Sequence, residues 1–365
     1  MISEKIPTLS ILKEKKIVKG LSEKLEKIVT RPLRIMEVCG THTMSIFQHG
    51  LRSLFPEGLQ MISGPGCPVC VTSQADMDAM IELSQKKEVR FATFGDMLRV
   101  PGTKISLKEA MADGAKVHVV YSPMDVIDIA MKYPENEVVF AGIGFETTAP
   151  GIAATVLAAQ KKGISNLSVY STMKLIPPAL SSLFSHEDVQ VDGLLCPGHV
   201  SSIIGAKSYL SIKDTFGIPC TVAGFEPADI LLGLLDLVNQ INTGQAHVHN
   251  AYSRAVSWDG NKKALDVMHS VFDKEDALWR GLGMIKKSGL GFGQAYKNFC
   301  AKEKFSIAGN VTEDLKGCRC GDILKGLISP SECPLFRKFC SPLKPFGPCM
   351  VSSEGVCHAY YRYGN

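Results

Sequence analysis

Twelve cysteines in 365 residues, in three kinds of spacing, are the groups of this chain best suited to chemistry. Gly64-Pro-Gly-Cys-Pro-Val-Cys70 sets Cys67 and Cys70 in a C-x-x-C directly after an apolar run, an arrangement that lowers a thiol pKa and permits reversible disulfide formation. Pro68 removes a backbone donor between the sulfurs, and Gly64 and Gly66 let the loop come close to another group. Half a zinc site is the plainer alternative, weakened because no second C-x-x-C completes it. Glu37-Val-Cys-Gly-Thr-His-Thr43 places Cys39 where a strand gives way to a helix, with Thr41 or Thr43 as cap. A helix N-terminus favours a thiolate, so Cys39 reads as a nucleophile or metal ligand, against the alternative of a small buried core residue. His42 serves equally as a loop hydrogen-bonder or a proton carrier.

The last 75 residues hold seven of the twelve cysteines, with many Pro and Gly. Cys318, Cys333, Cys340 and Cys357 give C-x14-C-x6-C-x16-C and leave Cys320 and Cys349 as an auxiliary redox pair. Structural zinc usually shows close C-x2-C knuckles, absent here, whereas iron-sulfur clusters accept dispersed thiolates. An iron-sulfur cluster is the expectation, with zinc, disulfides or unligated thiols as alternatives. A segment so poor in periodic elements closes no core by itself, and a cluster would supply its cross-links. Cys196-Pro-Gly-His199 echoes Cys39-Gly-Thr-His42 and suggests two facing lobes. Gly142-Ile-Gly-Phe-Glu-Thr-Thr148 departs from G-x-G-x-x-G because Thr147 replaces the third Gly, which argues against a dinucleotide site. Glu146, Thr147 and Thr148 would instead offer a carboxylate and two hydroxyls to an interlobe cleft. Cys220 and Cys300 read as core residues.

These groups need a scaffold, and the apolar pattern predicts one. Strands are expected at 34–38, 59–63, 89–94 and 116–121, then at 138–143, 167–171, 193–195 and 219–223. Helical periodicity fills the intervals, for example 74–85, 106–113, 149–162, 201–209 and 227–241. Alternating β and α with Val, Ile and Leu runs implies an α/β fold with two parallel-sheet lobes, over 31–135 and 136–242. Residues 1–30 read as a helical arm packed on another domain, because Leu21, Leu25, Ile28 and Val29 share one helical face. Beyond 242 the strand signal fades, 261–287 reads as one or two helices, and 243–365 is expected to form a helical, cysteine-rich domain.

Composition narrows the partners. Forty-five per cent apolar residues and 21% charged describe a globular chain. The formal net charge is +4, of which the first thirty residues carry three, with seven Lys against four Glu. No basic field runs through the body, which argues against nucleic acid as partner. The longest apolar runs fall short of a membrane span or are broken by acids, and no signal-peptide pattern is present. A cytoplasmic location without membrane attachment is expected, in a chain whose thiols stay reduced unless ligated or redox-active.

At these residues the chain closely resembles the HypD family of hydrogenase maturation factors. The resemblance rests on Glu37-Val-Cys-Gly-Thr-His-Thr43, Gly64-Pro-Gly-Cys-Pro-Val-Cys70, Phe94-Gly-Asp-Met-Leu-Arg-Val-Pro101, Gly144-Phe-Glu-Thr-Thr148, Cys196-Pro-Gly-His199 and the C-x14-C-x6-C-x16-C tail, with no clear departure in any of them. It covers about 34–361 and implies two Rossmann-like lobes plus a C-terminal domain holding a 4Fe-4S cluster on Cys318, Cys333, Cys340 and Cys357. It implies a scaffold for the Fe(CN)2CO unit of nickel-iron hydrogenases, in which Cys39 ligates a transient iron carrying cyanide and carbon monoxide beside Cys67 and Cys70. By the same resemblance the chaperone HypC contributes a second thiolate, and HypE donates cyanide made from a carbamoyl group supplied by HypF. His42, Glu146, Thr148 and His199 would then hydrogen-bond cyanide nitrogens or handle protons. A monomer entering transient complexes is expected. The alternative is a thiol-disulfide reductase of the ferredoxin:thioredoxin reductase type, which leaves Cys39 unused; a zinc-stabilised interaction module explains only the tail.

Overall fold

The computed structural model describes residues 11–307 and 316–364, so the first ten residues of the expected arm lie outside the described residues. Eleven strands are described. The first five are β1 (Leu33–Glu37), β2 (Leu59–Ser63), β3 (Val89–Thr93), β4 (Val117–Val119) and β5 (Glu137–Gly142). There follow β6 (Leu167–Ser171), β7 (Gly193–Pro197), β8 (Cys220–Ala223), β9 (Val248–Asn250), β10 (Phe272–Trp279) and β11 (Gly283–Phe292). β6 and β7 are buried along their whole length, as strands covered by helices on both faces must be.

Two parallel sheets form the body, in the orders β2-β1-β7-β8-β9 and β4-β3-β5-β6. This is the expected α/β architecture with two parallel-sheet lobes, but the strands are shared out differently from a split into 31–135 and 136–242. The second sheet is inserted whole between β2 and β7, and the first sheet is completed by strands from the second half of the chain. Ile35 pairs with Gly193 in the register of β1 and β7. At that edge Arg34 N donates to Asp192 Oδ2 at 2.8 Å. Parallel pairing is non-local, so local periodicity reveals strands without revealing their neighbours.

The stretch expected as helices over 261–287 is helical only at Lys262–Val271. It then turns into an antiparallel hairpin of β10 and β11, with an irregularity between Glu275 and Ala277. In β10 the run Asp273 to Asp276 is exposed and only Phe272, Ala277 and Trp279 are buried, so its charges imitate the solvated face of a helix. The hairpin is a clamp. Its tip residue Arg280 donates from its backbone to Val71 O at 2.9 Å and from Nε to Thr72 O at 2.9 Å. At Gly281 a Cβ would lie 2.2 Å from the Cα of Gly321, so only glycine lets the tip meet the cysteine-rich segment.

The helix α1 (Lys15–Ile28) buries Val18 and Leu25 in one cluster with Ile230, Leu234 and Leu237 of the helix Pro227–Thr243. Asn242 Nδ2 caps it by donating to Ile28 O at 2.8 Å. The tail has no core of its own: Cys320, Cys349 and Cys357 belong to the apolar cluster that holds Met36, Cys67, Cys70, Cys196 and Trp279. Cys220 is fully buried in β8, and Cys300 is half-buried. Among the described residues, no helix is long and apolar enough to cross a membrane.

Candidate functional site

Counting only its own strands, the first sheet has the order 2-1-3-4-5 and the second 2-1-3-4. Such sheets bind ligands at the carboxyl ends of the strands where the order reverses, because the loops diverge there and leave a crevice. In the first sheet that point lies between β1 and β7. Cys39 follows β1, and Pro197-Gly-His199 leaves β7. In the second it lies between β3 and β5, and Phe145, Thr147 and Thr148 follow β5. The two switch points face one cleft of about 350 Å³, lined among others by Cys39, Thr41, Thr147, Thr148, His199 and Glu354. The echo between Cys39-Gly-Thr-His42 and Cys196-Pro-Gly-His199 therefore marks two strands flanking one switch point, not two facing lobes.

Cys39 is the extended residue preceding α2 (Gly40–Gln48). Its backbone N–H donates to Glu37 Oε2 at 2.9 Å, and Thr43 Oγ1 donates to the other carboxylate oxygen of Glu37. Burial pushes the Cys39 thiol up to about 12 and outweighs the backbone amides of His42 and Thr41, while the charges of Glu354 and Glu37 add to the rise. Burial likewise raises Glu37 to about 7, against hydrogen bonds from Ser63, Thr43 and the Cys39 backbone. A thiol so held keeps its proton at neutral pH. An arriving cation would displace it, so the electrostatics suit a metal ligand better than a free nucleophile.

Cys67 and Cys70 are joined in a disulfide across the first turn of α3 (Pro68–Val71), with Cα atoms 5.2 Å apart. Gly66 and Pro68 line the cleft, and the two sulfurs lie behind them, almost wholly buried. A Cβ on Gly66 would stand 2.3 Å from the Cys39 backbone nitrogen, and Gly40 N donates to Gly66 O at 3.1 Å. The glycine is thus what brings the C-x-x-C loop against the backbone of Cys39.

On the far side, Cys318, Cys320, Cys333, Cys340, Cys349 and Cys357 ring one small cavity of about 20 Å³, together with Leu335, Phe336 and Met350. Cys320 Sγ and Cys349 Sγ are in contact at 2.8 Å, and Cys340 Sγ accepts from Phe346 N–H at 3.3 Å. Donation from the Cys318 and Cys349 thiols, and then the Arg280 charge, hold the Cys320 thiol well below its ordinary value. Among the described residues no three His, Cys, Asp or Glu side chains gather as a single-ion site; the thiols surround a void instead. That donor set, soft sulfur throughout with no charged side chain in the lining, fits an iron-sulfur group.

The other expected residues divide. His199 is exposed on the cleft rim, its ring 4.0 Å from that of Phe225, and burial of its inner half lowers its pKa. Thr148 lines the cleft half-buried. His42 does not line it. Its ring is wholly buried on the other side of Phe225, Nε2–H donates to Gly224 O at 2.9 Å, and burial lowers its pKa to about 4. Glu146 points away from Thr147 and Thr148. It accepts from Ile176 N at 2.9 Å, lines a separate cavity of about 820 Å³, and is raised by burial to about 7. The turn after β5 is tight enough to send adjacent side chains to opposite faces, which corrects the expectation of a shared cleft. Glu37, Phe225 and Glu354 were not singled out from sequence. Glu37 sits inside the Cys39 motif, whereas nothing local points to Glu354.

Residues 14–364 match the family model for HypD, described as hydrogenase formation hypA family. A hydrogenase maturation factor HypD of Rhodobacter capsulatus is 43% identical over 349 residues, covering 94% of this chain and 93% of its own length. The corresponding Escherichia coli protein is 45% identical over 334 residues, with coverages of 91% and 90%. A putative hydrogenase expression/formation protein of Methanocaldococcus jannaschii is 39% identical over 354 residues, with coverages of 96% and 98%.

Proposed function

The chain belongs to the HypD family of hydrogenase formation proteins, and from that membership we propose that it is the scaffold and redox factor on which the Fe(CN)2CO unit of a nickel-iron hydrogenase is assembled. One observation carries the reading: the Cys39 thiol opens on a cleft walled by both sheets and backed by the Cys67–Cys70 disulfide. The iron is cargo. Cys39 gives up its proton as the iron arrives, and Glu37 holds the Cys39 backbone in place from below.

His199, whose pKa burial lowers, and the hydroxyls of Thr147 and Thr148 offer hydrogen bonds to cyanide nitrogens within the same cleft. Reduction of the Cys67–Cys70 disulfide takes up two electrons and two protons, and reoxidation returns them beside Cys39. Cys318, Cys333, Cys340 and Cys357 would hold a 4Fe-4S cluster, which when bound supplies electrons singly. Cys320 and Cys349, already in sulfur contact, remain as a dithiol. The chaperone HypC supplying a second thiolate, and HypE donating cyanide, complete the iron's surroundings.

Infrared spectra of the chain co-produced with these partners test the reading. Bands of iron-bound cyanide and carbon monoxide are expected in the wild type and absent from Cys39→Ala. Equal bands in that variant would reject the assignment.

A further inference from the structure

We propose that the cysteine-rich tail carries a docking face for a small acidic one-electron carrier protein, centred on Phe339 and Leu343. The inference rests on the reading of the tail as an iron-sulfur site and extends it to the protein that delivers electrons there.

Charge is the first ground. Residues 316–345 contain Lys316, Arg319, Lys325, Arg337, Lys338 and Lys344 against only Asp322 and Glu332, a surplus of four in thirty residues, equal to the formal net charge of the whole chain. Asp322 and Arg319 pair with each other and cancel, and Glu332 accepts from Ser329 N–H at 2.7 Å, which leaves Lys316, Lys325, Arg337, Lys338 and Lys344 to set the charge of the segment. A concentrated basic rim steers and orients an acidic protein, and it disfavours a second copy of this chain by like-charge repulsion.

Exposure is the second. Phe339 is 68% exposed and Leu343 99% exposed, four positions apart on either side of Cys340. Single exposed hydrophobes need no explanation, but these two, each next in sequence to an exposed lysine, Lys338 and Lys344, give the apolar centre and polar border of an interface. Complexes between redox proteins are small and short-lived, so a patch of this size suffices.

Position is the third. Cys340 is one of the six thiols around the cavity, and Cys318 and Cys333 are only half-buried, so the cavity wall reaches solvent on the segment that carries the basic residues. Arg319, exposed, lies between Cys318 and Cys320 in the sequence. Each docking event oxidises one carrier by one electron. Two events, with two protons from solvent, account for conversion of the Cys67–Cys70 disulfide to its dithiol.

The test uses the full-length protein produced with iron supplied, its iron content and absorbance recorded, with an acidic [2Fe–2S] ferredoxin as the probe and a basic c-type cytochrome as control. Calorimetric titration at 50 and 300 mM NaCl should show the ferredoxin Kd weakening at least tenfold with salt. The double variant Lys338→Glu/Lys344→Glu should lose at least tenfold at low salt, and Phe339→Ala/Leu343→Ala should lose affinity at both salts. All four side chains are exposed, so the fold is spared. Salt-independent binding, unchanged affinity after charge reversal, or equal binding of the cytochrome overturns the proposal. If the wild type holds no iron yet binds ferredoxin with this charge dependence, the iron-sulfur reading falls while the face stands. If iron is present and ferredoxin does not bind, the face alone falls.

Discussion

Thr41 Oγ1 donates to Glu354 Oε1 at 2.9 Å across 313 positions of sequence, fastening the cysteine-rich tail to the first turn of the helix that begins beside Cys39. The tail is therefore a wall of the Cys39 cleft as well as a container for thiols, and it supplies that cleft with a carboxylate.

Removing that charge should change Cys39 without moving it. Glu354→Gln keeps an acceptor for Thr41 but deletes a charge that raises the Cys39 thiol. The Cys39 pKa should fall, read as faster alkylation of Cys39 at a given pH in peptide-resolved mass spectrometry. Slower alkylation would contradict the electrostatic account.

Gly66→Ala should be costly, because its Cβ would meet backbone atoms of Val38 and Cys39 at 2.3–2.6 Å and backbone yields little. Overpacking of this kind destabilises by about 1–3 kcal/mol, and here the upper end is expected. Denaturant unfolding measures it, and a midpoint equal to wild type would show that the loop has room to move.

The thiols of the tail should separate into two classes. Cys333→Ala should lose iron, brown colour and solubility together, since metal binding contributes folding energy. Cys320→Ala should retain the iron. Full iron content in Cys333→Ala would disprove the ligand set, and iron loss in Cys320→Ala would redistribute it.

Glu146 gives a pH signature. Burial raises its carboxyl from 4.5 to about 7, so the folded chain holds a proton that the unfolded chain releases. The stability tied to that proton is full below pH 4.5, is lost as pH rises to 7, and stays lost above. Glu146→Gln keeps the acceptor for Ile176 N–H and cannot titrate. Its stability relative to wild type should climb through pH 4.5–7 and level off, by at most about 3 kcal/mol at 1.36 kcal/mol per unit. A flat difference in melting temperature across that window would show that Glu146 is not the buried acid described.

What the sequence disclosed and what it hid follow from the range of the interactions concerned. The ends of β1, β2, β5 and β7 are legible because each couples a Val, Ile or Leu run to a Gly- or Cys-bearing turn, a signal contained within ten residues. The interleaving of the two sheets is not, since the register of Ile35 with Gly193 leaves no local mark. The clamp from Phe272 to Phe292 is hidden differently: four exposed charges in β10 carry the signature of a solvated helix, and only packing against Phe145 through Trp279 decides for a strand. Glu354 had no signal at all. Its neighbours form no strand or long helix, and its role exists only through Thr41.

The insertion of one sheet into the other also sets a timetable during biosynthesis. The strands β3 to β6 are contiguous and can pair as they emerge, whereas β1, paired with β2 on one edge, must wait for β7 on the other. At about 5–20 residues per second, the 313 positions between Thr41 and Glu354 take roughly 16–60 s to translate. For that interval Cys39, Cys67 and Cys70 exist without the cleft that will shield them, free to oxidise or to capture stray metal. Ribosomal order thus delivers reactive thiols first and their enclosure last, which makes the minute after their synthesis the period in which the cell must guard this chain.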